Sequence, residues 1–371
     1  MDIYDELGVT KIINGAATLT MLGGSLMPPE VSAAMVEASR HFVDTDELQA
    51  KVGAKIAELT YNEAAYVSCG AAAGMVLSTA ACIAGTDPEK RAQLPYSEGM
   101  KNEVILHKRG RVGYSFAIQQ AGGRLVEIGD EAGATPADLE RAINNKTAAI
   151  FYFYNAHFMP GQVPLETGID IAHQHGIPLI VDAAAQLPPV ENLWRFTQMG
   201  ADLALFSGGK GLCGPQSAGL ILGRKALIDA CAFHACPRAF IGRPMKVGKE
   251  ELAGMLAAVK WYLKQDHAQV MQSYEDQVQA VLDAFAGLPH LHARRDFPSE
   301  AGQPMPRAEL TLDEAALGMP RDALLAALRN GVPAIALAPA GEHGVYINPQ
   351  TLQAGEIQSI IDRIKDILER R

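Results

Sequence analysis

Several absences narrow what this chain can be. No basic run is longer than Lys108-Arg109, and the formal net charge is −10. A nucleic-acid surface needs clustered cations to displace phosphate counterions, so no nucleic-acid partner is expected. No uninterrupted apolar stretch is long enough to cross a bilayer, and Met1-Asp2-Ile3-Tyr4-Asp5-Glu6 lacks the basic and apolar regions of a signal peptide. The 5 cysteines show no CxxC spacing. Cys231 and Cys236 bracket His234, but no fourth ligand stands near them in sequence, so helix packing is expected there and no metal. Internal repeats and low-complexity segments are also missing. These absences predict a soluble, reduced, cytoplasmic chain. Its 371 residues, 48% hydrophobic and 20% charged, suffice for a large core and a second, smaller domain.

Strand and helix signals alternate through the middle of the chain. Strands are predicted at Ala65–Ser68, Glu103–His107, Arg124–Ile128 and Ala148–Tyr154, with two more ending at Asp182 and Phe206. Helices are predicted over Ala72–Ala84, from Thr135-Pro136, and over Leu165–His175. Strands that are apolar on both faces and separated by helices indicate an α/β protein with a mainly parallel sheet covered on both sides. Ligands in such sheets bind beyond the carboxyl ends of the strands, where Ser68, His107, Asn155, Asp182 and Ser207 fall. From Gly248 to about Leu288 the pattern becomes two long helices. The predicted division is residues 1–45 packing with a small domain, 46–288 as the large domain, and 289–371 as a small α+β domain. That last part carries a strand near Ala308–Leu312, a helix over Arg321–Asn330 and a closing amphipathic helix from Gly355.

Asp182 ends the apolar run Ile177-Pro178-Leu179-Ile180-Val181, and Lys210 sits in the glycine-rich turn Ser207-Gly208-Gly209-Lys210-Gly211. Two lone residues of this kind could form a buried ion pair. They are also the pair that pyridoxal 5'-phosphate (PLP) requires. The lysine holds the cofactor aldehyde as a Schiff base, and the carboxylate keeps the pyridine nitrogen protonated. Ser68-Cys69-Gly70-Ala71-Ala72-Ala73-Gly74 lies between a strand and a helix. Its small residues let backbone amides and the positive helix end approach a phosphate. Ser207 would add a hydroxyl to that phosphate.

These segments, with Asn14-Gly15, Thr20-Met21-Leu22-Gly23-Gly24-Ser25, Arg109-Gly110, Gly122-Gly123, Gly214-Pro215-Gln216 and Arg243-Pro244-Met245-Lys246-Val247-Gly248-Lys249, run almost end to end. In them the chain resembles the selenocysteine synthase family of the aspartate-aminotransferase fold superfamily, and within it the shorter ammonia-lyase relatives. The resemblance implies the PLP-dependent transferase fold (fold type I): a mainly parallel seven-stranded sheet with helices on both faces and a small C-terminal α+β domain. It implies a homodimer or larger homo-oligomer, with Arg243 and Lys246 reaching an active site, their own or a neighbouring subunit's, to bind an anionic group. Catalytic roles fall on Lys210 as base and Asp182 as partner of the ring nitrogen. His107, Tyr114 and His157 are candidates to stack on the ring or protonate a leaving hydroxyl. Cofactor contacts fall on Ser68, Cys69, Gly70, Ala71, Ser207, and Asn155 or Gln186 at the phenolic oxygen.

Two departures qualify the resemblance. Selenocysteine synthase carries a further N-terminal region that helps grip its tRNA, whereas motifs here begin by Asn14, which favours a small-molecule substrate. Between Gly331 and Asp362 there is no Arg or Lys, although many enzymes of the superfamily clamp the substrate carboxylate with an arginine in that domain. Arg109, Arg111 and Arg243 are the alternatives. The expected reaction is α,β-elimination from a β-hydroxy-α-amino acid, an amino-sugar acid with or without a phosphate such as D-glucosaminate 6-phosphate, giving a 2-oxo acid and ammonia. Racemisation, another β-elimination, selenium or sulfur transfer, and PLP binding without turnover are the alternatives.

Overall fold

The structure is a computed structural model that describes residues 2–369. The chain forms two compact units. One comprises Ser25–Gln265 with Ala301–Gln303; the other gathers the residues up to Gly24, Asp266–Glu300 and the chain from Pro304 onward.

The first unit is built on a seven-stranded sheet. Across it the strands run Ala64–Ser68, Gly219–Gly223, Leu203–Ser207, Leu179–Asp182, Thr147–Phe153, Glu103–His107 and Arg124–Ile128. All neighbours are parallel except Gly219–Gly223, which is antiparallel to both strands beside it. Parallel strands need a covering element between them, and helices supply it here. One face carries Val104, Leu106, Phe151, Phe153, Ile180 and Leu205 against the Gly70–Ala84 helix. The other carries Ile105, Ile150, Tyr152, Val181, Ala204 and Phe206.

The Gly70–Ala84 helix is buried along almost its whole length. Small residues allow that burial: a Cβ at Gly74 would stand 3.4 Å from Ile221 and 3.6 Å from Leu205, so the helix axis lies close to the sheet. The strand written Gly219-Leu-Ile-Leu-Gly223, paired on both sides, is the one sheet member that the sequence pattern did not single out.

The second unit is α+β. Its antiparallel sheet runs Ala338–Ala340, Gly344–Ile347, Arg307–Leu312, Leu291–Asp296, and Ile12–Asn14 pairs in parallel with Ala334–Ala336. The Glu356–Glu369 helix buries Ile360, Ile361, Ile364 and Ile367 at helical spacing. The units divide at Gly24 and Gln265, not at residues 45 and 288. Packing explains both shifts. The Pro29–Ala38 helix lies so close to Lys249–Leu263 that a Cβ at Gly254 would meet Met35 Cγ at 2.7 Å. The His267–Phe285 helix buries Val278, Val281 and Phe285 in the second unit's core.

Candidate active site

Asp182 and Lys210 meet at the carboxyl edge of the first unit's sheet. Asp182 is in register with Phe153 on one side and Leu205 on the other. Directly paired residues of parallel strands point to the same face, so Asp182 lies on the face covered by the Gly70–Ala84 helix. Its side chain keeps some accessible surface but is closely surrounded by protein. Burial therefore pushes its carboxyl above the usual carboxylate range, while the Ala184 N–H (3.0 Å) and the charge of Lys210 oppose that rise.

The turn holding Lys210 has glycines for steric reasons. Cβ atoms would stand 2.8 Å from Ala218 O at Gly208, 2.7 Å from Gln216 Cα at Gly209, and 2.4 Å from Leu187 O at Gly211. Gly208 N–H donates to Ala218 O (2.8 Å) and Cys213 N–H to Lys210 O (2.9 Å). The lysine is thus carried on a turn pressed between two backbone segments, and Gln216 of the Gly-Pro-Gln motif forms one wall.

Ser68 ends its strand fully buried and donates its hydroxyl to Gly70 O at 2.9 Å, which shapes the following turn. Cys69 precedes the 15-residue Gly70–Ala84 helix, and no side chain caps that helix start. Its first N–H groups and positive dipole end are therefore available to an anion. A Cβ at Gly219 would sit 2.5 Å from Gly70 C and 2.7 Å from Ala71 N, so the neighbouring strand leaves the turn only glycine-sized space. Burial pushes the Cys69 thiol up, keeping it uncharged beside that turn. Ser207, half-buried, ends the strand next to Asp182's, and its N–H donates to Ala184 O at 3.2 Å.

Asn155 and Gln186 are drawn together by a segment that sequence reasoning missed. Gln186 Nε2 donates to Ala301 O at 2.8 Å, and Gln303 Nε2 donates to Leu187 O at 2.9 Å. Asn155 Oδ1 accepts from His157 N–H at 2.8 Å and stands 2.6 Å from where a Cβ of Gly302 would be. Both amides thus help to seat residues 301–303, where Gly302 has a positive φ (+76°); Gly302 and Pro304 were the sequence signals of that turn.

His107 reaches the same edge but the other face. Ile105 and His107 alternate with Val104 and Leu106, and the imidazole packs edge-on against Tyr152, with centroids 5.2 Å apart. Its Nε2 accepts the Val163 N–H at 3.2 Å, and burial depresses its pKa to about 4. It is therefore neutral, and it holds the 155–163 loop.

The loop after His107 carries three cations in unlike settings. Lys108 lies 3.9 Å from Glu131, and Arg111 pairs with Glu127. Arg109 is half-buried and has no carboxylate partner among the described residues; its Nη1 lies 3.3 Å from the Cβ position of Gly161. Tyr114 and His157 are exposed. Arg243 and Lys246 are exposed too and line a cavity of about 530 Å³ with Asp46, Tyr66 and Arg238; neither Ser68, Asp182 nor Lys210 lines it.

A glycine-built anion cradle, a desolvated carboxylate and a lysine on a braced turn, in one unit, fit PLP: helix amides for the phosphate, Asp182 for the ring nitrogen, Lys210 for the aldehyde. Fold and site together define a PLP-dependent enzyme of fold type I. The family model for L-seryl-tRNA selenium transferase (SelA) matches residues 12–275, and the chain belongs to that family. It is 35% identical to D-glucosaminate-6-phosphate ammonia lyase of Salmonella typhimurium over 99% of this chain and 98% of that protein. It is 34% identical to 5'-C-glycyluridine monooxygenase-decarboxylase of Streptomyces over 98% of this chain and 92% of that one. A solved structure of D-glucosaminate-6-phosphate ammonia-lyase superposes with a TM-score of 0.88 at 33% identity, covering 100% of this chain and 99% of that structure's. Among the described residues no cluster of metal-ligating side chains occurs, and no helix is long and apolar enough to cross a membrane.

Proposed function

We propose that this enzyme is an ammonia-lyase acting on a β-hydroxy-α-amino acid, specifically an amino-sugar acid such as D-glucosaminate 6-phosphate. The observation that carries this reading is the likeness to D-glucosaminate-6-phosphate ammonia lyase along nearly the full length of both chains, in sequence and in structure. The substrate loses its Cα proton and its β-hydroxyl, and the released enamine hydrolyses. The net products are a 3-deoxy-2-oxo acid and ammonia, with no oxidant consumed.

Bound PLP supplies an electron sink for the pair left when the Cα–H bond breaks. The chain's own residues do the rest. Lys210 Nζ would hold the cofactor aldehyde and would take that proton. Asp182 would keep the ring nitrogen protonated. Ser68, Cys69, Gly70, Ala71 and Ser207 would seat the phosphate, and Asn155 or Gln186 would serve the phenolic oxygen. Arg109, which has no carboxylate partner among the described residues, binds an anionic substrate group, and Arg111 and His157 are assigned to the same task. Tyr114, exposed in the turn after Arg109's loop, is the residue we assign to protonate the leaving hydroxyl.

Arg243 and Lys246 face a cavity away from Lys210 within the chain. They act on a neighbouring protomer's substrate in a homodimer or larger homo-oligomer, which we place in the cytoplasm. The decisive experiment incubates PLP-loaded protein with D-glucosaminate 6-phosphate and measures 2-oxo acid and ammonia, with and without oxygen. Equal amounts of both products, unchanged without oxygen, are expected. Oxygen-dependent release of carbon dioxide instead would move the assignment to the monooxygenase-decarboxylase relative.

A further inference from the structure

Gln162 is an unusual residue for the interior of a protein. It is 7% exposed, and neither Oε1 nor Nε2 of its amide has a hydrogen-bond partner among the described residues. Native folds rarely leave a buried amide without any partner. By contrast, the amides of Gln186 and Gln303 in the same unit are both bonded to backbone carbonyls.

The surrounding backbone gives Gln162 little freedom to turn away. Its own N–H donates to Met159 O (3.0 Å), the preceding Gly161 O accepts from Ala134 N–H (2.7 Å), and the following Val163 N–H donates to His107 Nε2 (3.2 Å). The amide lies against Gly110, where a Cβ would stand 2.5 Å from Nε2. Chain neighbours complete the arrangement. Arg109 precedes Gly110, and its guanidinium lies beside Gly161, next to Gln162. An unpartnered amide on a fixed backbone and a cation without a carboxylate partner among the described residues therefore adjoin each other in loops at the carboxyl edge. One of these loops leaves the strand that pairs with Asp182's.

The chemistry of the two groups separates their roles. A guanidinium offers donors only and suits an anion. An amide offers donors and an acceptor, which suits a hydroxyl, itself both donor and acceptor. We propose that Gln162 is a specificity-determining residue that reads a hydroxyl of a polyhydroxylated substrate tail beside the anionic group held by Arg109. This inference rests on the amino-sugar-acid reading above. A tail without hydroxyls would leave the amide unbonded, which is how a polar site rejects an apolar analogue.

The test measures equilibrium binding by calorimetry on PLP-loaded protein. Two ligands without an amino group are used, D-gluconate 6-phosphate and 6-phosphooxyhexanoate, which share both anionic ends and differ in hydroxyls. Wild type is expected to prefer the gluconate by about tenfold or more, and Gln162→Leu to lose most of that preference. Gly110→Ala is the second variant. Its new methyl displaces the end of a flexible side chain, not backbone, so it should fold and lose the same preference even where Gln162→Leu does not fold. Retention of the preference in either folded variant, with or without a lower melting temperature, overturns the proposal and marks Gln162 as structural. Absence of any preference in wild type overturns it as well. Release of 2-oxo acid by wild type, scored separately, decides the lyase reading independently of these outcomes.

Discussion

The N–H of Val163 donates to Nε2 of His107, two residues far apart in sequence that fix the loop between the Thr147–Phe153 strand and the helix at Leu165–Gln174. Because Nε2 accepts, the bond exists only while that nitrogen carries no proton. Burial holds the imidazole pKa at about 4, against 6.5 for a free histidine. The folded state therefore binds fewer protons than the unfolded chain between these values. The stabilisation is complete above pH 6.5 and is lost as pH falls toward 4. The depression corresponds to about 3 kcal/mol at most. Urea unfolding of wild type and His107→Gln at pH 7.5 and 4.5 checks this: wild type should lose more stability than the variant. Asp182 has a raised pKa and acts in the opposite sense, but it is common to both proteins and cancels in the difference.

Lys210 is the expected attachment point of PLP. Borohydride reduction and peptide mapping should place the pyridoxyl group there, and Lys210→Ala should lose both the bound chromophore and turnover. An adduct at Lys225 or Lys246 would refute the assignment.

Asp182→Asn should keep PLP but lower kcat by about 10²-fold or more, because an amide cannot hold the ring nitrogen protonated. Cofactor retention is read from absorbance and turnover from 2-oxo acid release. Unchanged kinetics would make Asp182 purely structural.

Arg109→Leu should raise KM for the amino-sugar acid by roughly 10- to 100-fold, the weight of one charge-assisted hydrogen bond. Arg111→Leu should do less, since Arg111 already pairs with Glu127 and is exposed to solvent. Steady-state kinetics of the two variants side by side give the comparison; equal effects would count against Arg109 as the anion reader.

Gly211→Ala should lower stability by about 1–3 kcal/mol, because its Cβ would meet a backbone oxygen and not a movable side chain. It should also slow turnover by shifting Lys210. Thermal melting of the PLP-free and PLP-loaded forms separates the two effects.

Much of this was legible in the sequence because buried strands announce themselves. Glu103–His107 and Arg124–Ile128 stand where apolar runs predict them, and Thr135 caps its helix as its side-chain type and the following proline imply. The Asp182 and Lys210 segments were legible for the same reason: one polar group at the end of an apolar run is conspicuous. Which face a strand-end residue takes was not legible. His107 and Asp182 both end strands, yet they point to opposite sides, because facing depends on register across the whole sheet. Gly219–Gly223 was passed over because it follows its neighbour through a turn, with no helix between them to mark a new strand. Gln162 gave no signal at all; a single amide in a loop becomes informative only when its lack of partners is visible.

Residues 301–303 sit against Gln186 and Leu187 in the first unit, while Glu300 and Pro304 on either side belong to the second. No single cut of the polypeptide therefore yields an intact module. A chain ending at Gln265 would retain all seven strands yet leave the Gln186 amide and the Leu187 carbonyl stripped of their partners, on the segment that also walls Gly211 and hence the Lys210 turn. Grafting a foreign C-terminal domain onto this scaffold would have to bring along a three-residue stitch with glycine at its centre, a constraint that residue-by-residue exchange of the domain surface would never meet.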